Sequence, residues 1–398
     1  MKNKRFSFWL VGYSILTLMI GTNIPSPLYG IYKETMGFSS LILTLIFATY
    51  AIVLIPSLAL FGKLSDRFGR KKVIWFGVMM SIIGSVAFAW ANTIEGLFLA
   101  RGFQGLAVGT LSGAATAALM ELNPYEDKKI AALVASVTTA GGTALGPLIG
   151  GLIAQYTSNP FTIPYVLHLI LAVPSILGIL FMEETVHQSK QQAVETASRL
   201  PKNSSGPFLA SAGTAFISWA VTALFMSIIP TYISTLLNID NLGLLGGFVF
   251  LMLGSSVGAQ FMLRRLRYDV SIKSGLLILA AGLIGISLAV PFQSAALLII
   301  GILAVGIGQG LSFKGSMEQV NHIAPAHQRG AVVSKLYIVI YLGVGLPIIG
   351  VGTLATLLGL YYSILCFTSI ITFLSFIMVF YLYDKLCLNL SHELHKAV

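Results

Sequence analysis

Charge is scarce in this chain. Of its 398 residues only 10% are Asp, Glu, Lys or Arg, while 56% are hydrophobic; soluble domains carry roughly a quarter charged residues. An ordinary soluble enzyme is therefore excluded. Cysteine is nearly missing as well. Cys366 and Cys387 are the only two, and a helix rising 1.5 Å per residue would hold them about 30 Å apart, too far for a disulfide. No His/Cys ligand spacing suggests a metal, and no cofactor is expected. A phosphate-binding loop is lacking too, because Gly62-Lys63 is followed by Leu64 without the upstream glycine, so this chain alone does not pump by ATP hydrolysis. No nucleophile stands beside an evident base, and no covalent catalysis is expected.

What is present are long apolar runs. Stretches free of Asp, Glu, Lys and Arg cover 6–32, 35–62, 73–94, 130–182, 203–239, 241–263, 274–313 and 336–383. About twenty apolar residues cross a bilayer. The runs 130–182, 274–313 and 336–383 each hold two crossings, broken at Ser158-Asn159-Pro160, Pro291-Phe292-Gln293 and around Gly359-Leu360. With 96–120, apolar except for Arg101, the count reaches twelve.

Positive charge orients these spans. If residues 1–6 are cytoplasmic, twenty of the 24 Lys and Arg fall on the inner side, with Lys33 alone outside. Both termini are then cytoplasmic in a multi-pass cell-membrane protein. The net charge of +10 reads as a topology signal and a hold on anionic lipid headgroups, not as a nucleic-acid surface. Thr22-Asn23-Ile24-Pro25 lacks the small-residue cleavage pattern of a secretory signal, so the first apolar run is read as a retained span.

The polar stretch 183–206 divides six spans from six, giving bundles at 1–182 and 207–398. The halves echo each other. A shift of 200 places Arg67 on Arg267, Pro147 on Pro347 and Gly150 on Gly350, and a shift of 205 places Gln104-Gly105-Leu106 on Gln309-Gly310-Leu311. Matches at nearly one offset indicate an internal duplication.

The loop after the second span reads Gly62-Lys63-Leu64-Ser65-Asp66-Arg67-Phe68-Gly69-Arg70-Lys71-Lys72. It resembles the G-x-x-x-D-R-x-G-R-[RK]-x signature of the major facilitator superfamily. Arg101-Gly102-Phe103-Gln104-Gly105 resembles the same superfamily's R-x-x-Q-G motif. Residues 142–151, with Gly142, Gly146, Pro147, Gly150 and Gly151, resemble the G-x-x-x-G-P-x-x-G-G antiporter motif, although Leu133 stands where its extended form has glycine. The resemblance is closest to the twelve-helix drug:proton antiporters.

That resemblance implies an all-α membrane fold, with two pseudo-symmetric six-helix bundles working by alternating access and no enzymatic activity. It implies a conformational latch in which Gly62, Arg67 and Gly69 frame the loop, Asp66 lies near the start of span 11, and Arg70 reaches Glu121, an acid that otherwise reads as a solvated helix end. Arg101 would assist proton movement or hold an anion, unless it snorkels to the interface. The glycines of 142–151 let a neighbouring helix approach closely, and Pro147 bends the span.

Many drug:proton antiporters carry a carboxylate in the first span, and this one offers Asn23, Ser26 and Tyr29 instead. Glu318, four residues from Lys314 and so on the same helix face, is the remaining candidate for proton coupling; the competing reading has both snorkel to the inner interface. His168 can also take a proton near neutral pH. Trp219, Thr222 and Met226 form one stripe at helical spacing that suits lipophilic guests or simple packing, and Gln104 joins Asn23 and Tyr29 as a cavity residue. The expected function is proton-coupled efflux of a small lipophilic or amphipathic substrate by a monomer. A sugar or metabolite transporter and an amphiphile flippase stay open, and a non-transporting scaffold is disfavoured.

Overall fold

The computed structural model describes residues 2–125, 128–182, 184–185, 205–324 and 329–396. The expected linker 183–206 lies outside them except at 184, 185, 205 and 206. The described residues form fourteen α-helices and no strand: α1 Lys2–Asn23, α2 Tyr29–Met36, α3 Ser40–Phe68, α4 Arg70–Ala89, α5 Ile94–Leu122, α6 Lys128–Tyr156, α7 Ile163–Phe181, α8 Ser205–Ser227, α9 Ile229–Leu237, α10 Leu242–Met262, α11 Tyr268–Ala289, α12 Ala295–Ile323, α13 Arg329–Leu358 and α14 Leu360–Lys396. Twelve spans are long and apolar enough to cross a membrane. One joins α1 and α2 over Lys4–Met36, and α9 alone is too short.

The breaks have local causes. Between α1 and α2 stand Pro25 and Pro27, with a short 3-10 turn over Ser26–Leu28. Proline has no backbone N–H, so the Gly21 carbonyl lacks the i+4 donor a continuous helix would give it. The side chains of Ser39, Thr93 and Ser294 accept from Ile42, Gly96 and Leu297 and so cap α3, α5 and α12. Gly359, at φ +86, turns α13 into α14.

The helices pack into two compact units. The first comprises Met1–Val194 with Met226–Phe250, the second Glu195–Phe225 with Leu251–Val398. The stretch 226–250 thus packs with 1–194. In the first unit α1 packs on α5, α6 and α7, and α5 on α3 and α4; in the second α11 packs on α12 and α14. Buried hydroxyls tie neighbouring helices within each unit, as Thr17 to Ser175 at 3.4 Å, Ser218 to Ser312 at 2.8 Å and Ser287 to Thr368 at 2.8 Å. Such bonds act as polar glue where lipid supplies no hydrophobic drive.

In the first unit the chain alternates between two ends. The start of α3 and the α4–α5 and α6–α7 turns share one end with α2. The 62–72 loop shares the other with the α5–α6 turn and the end of α7.

Candidate functional site

Arg101, on α5, is 3% exposed. Its Nη1 donates to the Thr22 carbonyl at 3.1 Å and to Gln104 Oε1 at 2.8 Å. Gln104 Nε2 in turn donates to the Gly21 carbonyl at 3.1 Å, the group left without a helical donor by Pro25. The guanidinium carbon lies 5.0 Å from the ring centres of Phe47 and Tyr50 and 5.9 Å from that of Tyr29, within cation–π range. The broken first span and the R-x-x-Q-G pair thus form one piece of structure. Among the described residues no carboxylate forms an ion pair with Arg101, so its charge is answered by carbonyl and amide oxygens and π faces. Arg101 Nε and the Tyr29 hydroxyl are buried without a hydrogen-bond partner.

His168 on α7 is buried, and its Nδ1 shares a 2.7 Å hydrogen bond with Ser85 Oγ. Its ring packs directly on Gly21, where any side chain would collide with it. Asn23 turns its Nδ2 back to its own helix, onto the Met19 carbonyl at 2.7 Å.

At the opposite end lies the loop of the first motif. Asp66 Oδ1 meets Arg70 Nη1 at 2.6 Å, and Arg70 Nη2 meets Glu121 Oε1 at 3.3 Å. Arg70 Nη1 also donates to Ser65 Oγ at 2.6 Å. Glu184, just past α7, accepts the backbone amides of Arg70 at 2.8 Å and Lys71 at 3.3 Å. A carboxylate there meets both the orphan amides and the positive end of α4. Thr185 Oγ1 donates to Glu121, and Lys71 Nζ to the Leu180 carbonyl at 2.7 Å. Gly69 sits at φ +102, and a side chain there would strike the Glu184 carboxylate, so both conformation and space demand glycine. Gly62 faces open space. Arg67 is exposed, its guanidinium carbon 5.5 Å from the Phe68 ring centre. The side chains at the start of α13, the expected neighbour of Asp66, lie outside the described residues.

The third motif packs α6 onto α1. A Cβ at Gly142 would lie 2.5 Å from the Leu16 carbonyl oxygen, one at Gly146 2.7 Å from that of Ile20 and one at Gly150 2.6 Å from that of Ile24. Gly151 lies equally tight against the Leu242 carbonyl, and Pro147 presents its own carbonyl to Gly246. The motif is a run of small residues on which the first span lies close to its break.

In the second unit Lys314 Nζ lies 3.3 Å from Glu318 Oε2, with side-chain exposures of 15% and 49%. Lys314 also donates to the Leu266 carbonyl at 2.8 Å, in the turn between α10 and α11. Trp219 meets Phe313 edge to face at 5.5 Å, and both pack with Phe208, Met317 and Tyr337 against a core of Ala212, Ala215, Val332, Leu336 and Ile340. Thr222 Oγ1 is spent on the Ser218 carbonyl at 3.0 Å. Met226 falls in the first unit, where its carbonyl accepts from Ser26 Oγ at 2.7 Å. The structure therefore groups Arg101, Gln104 and Tyr29 and pairs Lys314 with Glu318, while Trp219, Thr222 and Met226 share α8. Sequence reasoning did not reach Phe47, Tyr50, Ser85, Glu184, Thr185, Phe313 or Tyr337. Nothing in the spacing of Trp219 on its helix pointed to α12, and only the acids at 183 and 184 just after an apolar run hinted at a cap.

A sequence model of the Major Facilitator Superfamily matches residues 11–348, and the chain belongs to that superfamily as a multi-pass membrane protein. Among curated proteins it is 24% identical over 156 residues to MdtD of Escherichia coli O17:K52:H18 (strain UMN026 / ExPEC), provisionally named a multidrug resistance protein; the match covers 39% of this chain and 33% of that one. The chain thus spans about a third of the length of those relatives. It is 21% identical over 370 residues to an uncharacterized MFS-type transporter of Methanocaldococcus jannaschii, covering 89% of this chain and 92% of that one. Among solved structures, a bacterial homolog of the human lysosomal transporter Spinster aligns with a TM-score of 0.78 at 14% identity, over 96% of this chain and 98% of that one. A D-xylose-proton symporter aligns at 0.74 and 15%, over 93% and 97%. At such identities the structures show a shared fold alone.

Proposed function

We propose that the protein exports small lipophilic or amphipathic compounds across the cell membrane in exchange for protons, as a monomer with both termini cytoplasmic and its two bundles joined by the 183–206 linker. The packing of Gly142, Gly146 and Gly150 on α1 carries this reading. It sets the antiporter-like motif directly against the helix break that holds Arg101 and Gln104, so movement of α6 and movement of the buried cation are linked. The Asp66–Arg70–Glu121 chain acts as the inner latch that breaks and reforms as the bundles rock. Substrate meets the aromatic surface of Trp219, Phe313 and Tyr337, and the Lys314–Glu318 pair is the site of proton coupling. The partial likeness to MdtD supports the substrate class.

A second reading is favoured by one observation. That no carboxylate among the described residues pairs with Arg101 suits a transported metabolite that brings its own negative charge, as symport or export. Inside-out vesicles loaded with the protein separate the two. Lipophilic dyes accumulating under an imposed pH gradient, with no competition from carboxylate metabolites, support the first; accumulation of carboxylates alone overturns it in favour of the second.

A further inference from the structure

A small cavity of about 130 Å³ in the first unit lies between α2 and the 230–245 stretch, lined by Pro27, Gly30, Glu34, Thr231, Ser234 and Asp240 among others. The polar side chains among its lining residues carry oxygen alone: the carboxylates of Glu34 and Asp240 and the hydroxyls of Thr231 and Ser234. Asp240 reaches it because the chain reverses at Asn238, at φ +52.

Thr231 is the informative side chain. It is 4% exposed, and its hydroxyl has no hydrogen-bond partner. Many threonines bond back to their own helix, as Thr222 does to Ser218 and Thr353 to Ile349; Thr231, like Thr110, Thr157 and Thr372, has no such bond, and it stands in the first turn of α9, after Pro230. Its oxygen faces Gly30, where a Cβ would lie 3.4 Å away.

The charge around the cavity is negative. Lys33 is the one basic residue in 26–41 and 226–245, and its ammonium donates to Ser40 Oγ at 3.0 Å. The other titratable side chains of α2 and α9 are Tyr29, Tyr32 and Tyr232, all buried. Hard cations take oxygen ligands, and two carboxylates, offset only by Lys33 whose charge acts on Glu34, favour a divalent ion.

We infer that Glu34, Asp240, Thr231 and Ser234 form a site for a divalent hard cation, such as Ca²⁺ or Mg²⁺, that ties α2 to the 230–245 stretch. With only two carboxylates, both exposed, the affinity is weak, on the order of 0.1–1 mM as in extracellular modules. On the proposed topology the site faces the outside, where occupancy holds that end of the transporter shut; this functional clause rests on the alternating-access reading, whereas binding does not.

The test is a titration of purified full-length protein in detergent with ⁴⁵Ca²⁺ by equilibrium dialysis, at ionic strength fixed with choline chloride. One ion per chain is expected, with binding at least tenfold weaker in Glu34→Gln and Asp240→Asn and several-fold weaker in Thr231→Val, and with Mg²⁺ competing. Thermal unfolding of Glu34→Gln and Asp240→Asn without divalent ions should match wild type, since the carboxylates are exposed. Stabilisation by Ca²⁺ that Na⁺ reproduces at equal ionic strength, or binding unchanged in the double carboxylate variant, overturns the site. Binding that survives these controls but leaves transport unaltered on the outer side overturns only its role as a gate.

Discussion

Gln104 Nε2 donates to the Gly21 carbonyl at 3.1 Å, supplying the hydrogen bond that Pro25 withholds. This one contact joins the fourth span to the break in the first, and Arg101 is anchored on the same Gln104 and on the carbonyl of Thr22, next to Gly21.

Gln104→Leu should therefore destabilise the fold by roughly 1–3 kcal/mol, the cost of a buried carbonyl left without a donor. Pro25→Ala restores a backbone N–H at the right place and should reduce that cost. A double-variant cycle on detergent unfolding midpoints reads the coupling, and additive losses would show that the carbonyl finds another donor.

Arg101→Lys keeps the charge but loses the fork that spans the Thr22 carbonyl and Gln104. Losing a hydrogen bond from a charged group costs about 1.5–3 kcal/mol. Transport should fall at least about tenfold in protein that elutes as a single species on size exclusion.

The glycine stack predicts a graded series. Gly146→Val places methyl groups where Asn23 and the Ile20 carbonyl already stand, and overpacking of this kind costs roughly 1–3 kcal/mol. Gly62→Ala meets nothing within 4 Å and should leave the unfolding midpoint unchanged. A loss of stability at position 62 comparable with that at 146 would contradict the packing described.

Glu184→Ala removes a carboxylate from the N-terminus of α4 and should cost about 1 kcal/mol. Because Glu184 holds the Arg70 amide while Glu121 holds its guanidinium, Glu184→Ala and Glu121→Gln should be non-additive in both stability and transport rate.

The spans and the loop signature were legible because they rest on local quantities: run length, charge placement and the order of glycines around Asp66 and Arg70. Glu184 was not. Its role arises where the end of α7 meets the start of α4, residues 114 positions apart. The rings around Arg101 follow the same rule, since Phe47 and Tyr50 come from α3 and nothing in their spacing points to α5. Helical spacing aligned Trp219, Thr222 and Met226, yet the Thr222 hydroxyl is consumed by its own helix, and the partners of Trp219 come from α12 and α13. For Glu318, depth counted along the helix did not reveal that its carboxylate is half exposed, because depth does not specify a face.

Proton exchange is the central claim, and proteoliposomes under an imposed pH gradient test it most directly. Proton flux is recorded as lipophilic cations, neutral drugs and sugars are added, for wild type and Glu318→Gln. The account predicts substrate-dependent proton movement opposite to substrate movement, abolished in Glu318→Gln while the variant still binds substrate. Labelled substrate crossing with no proton movement in wild type would contradict it.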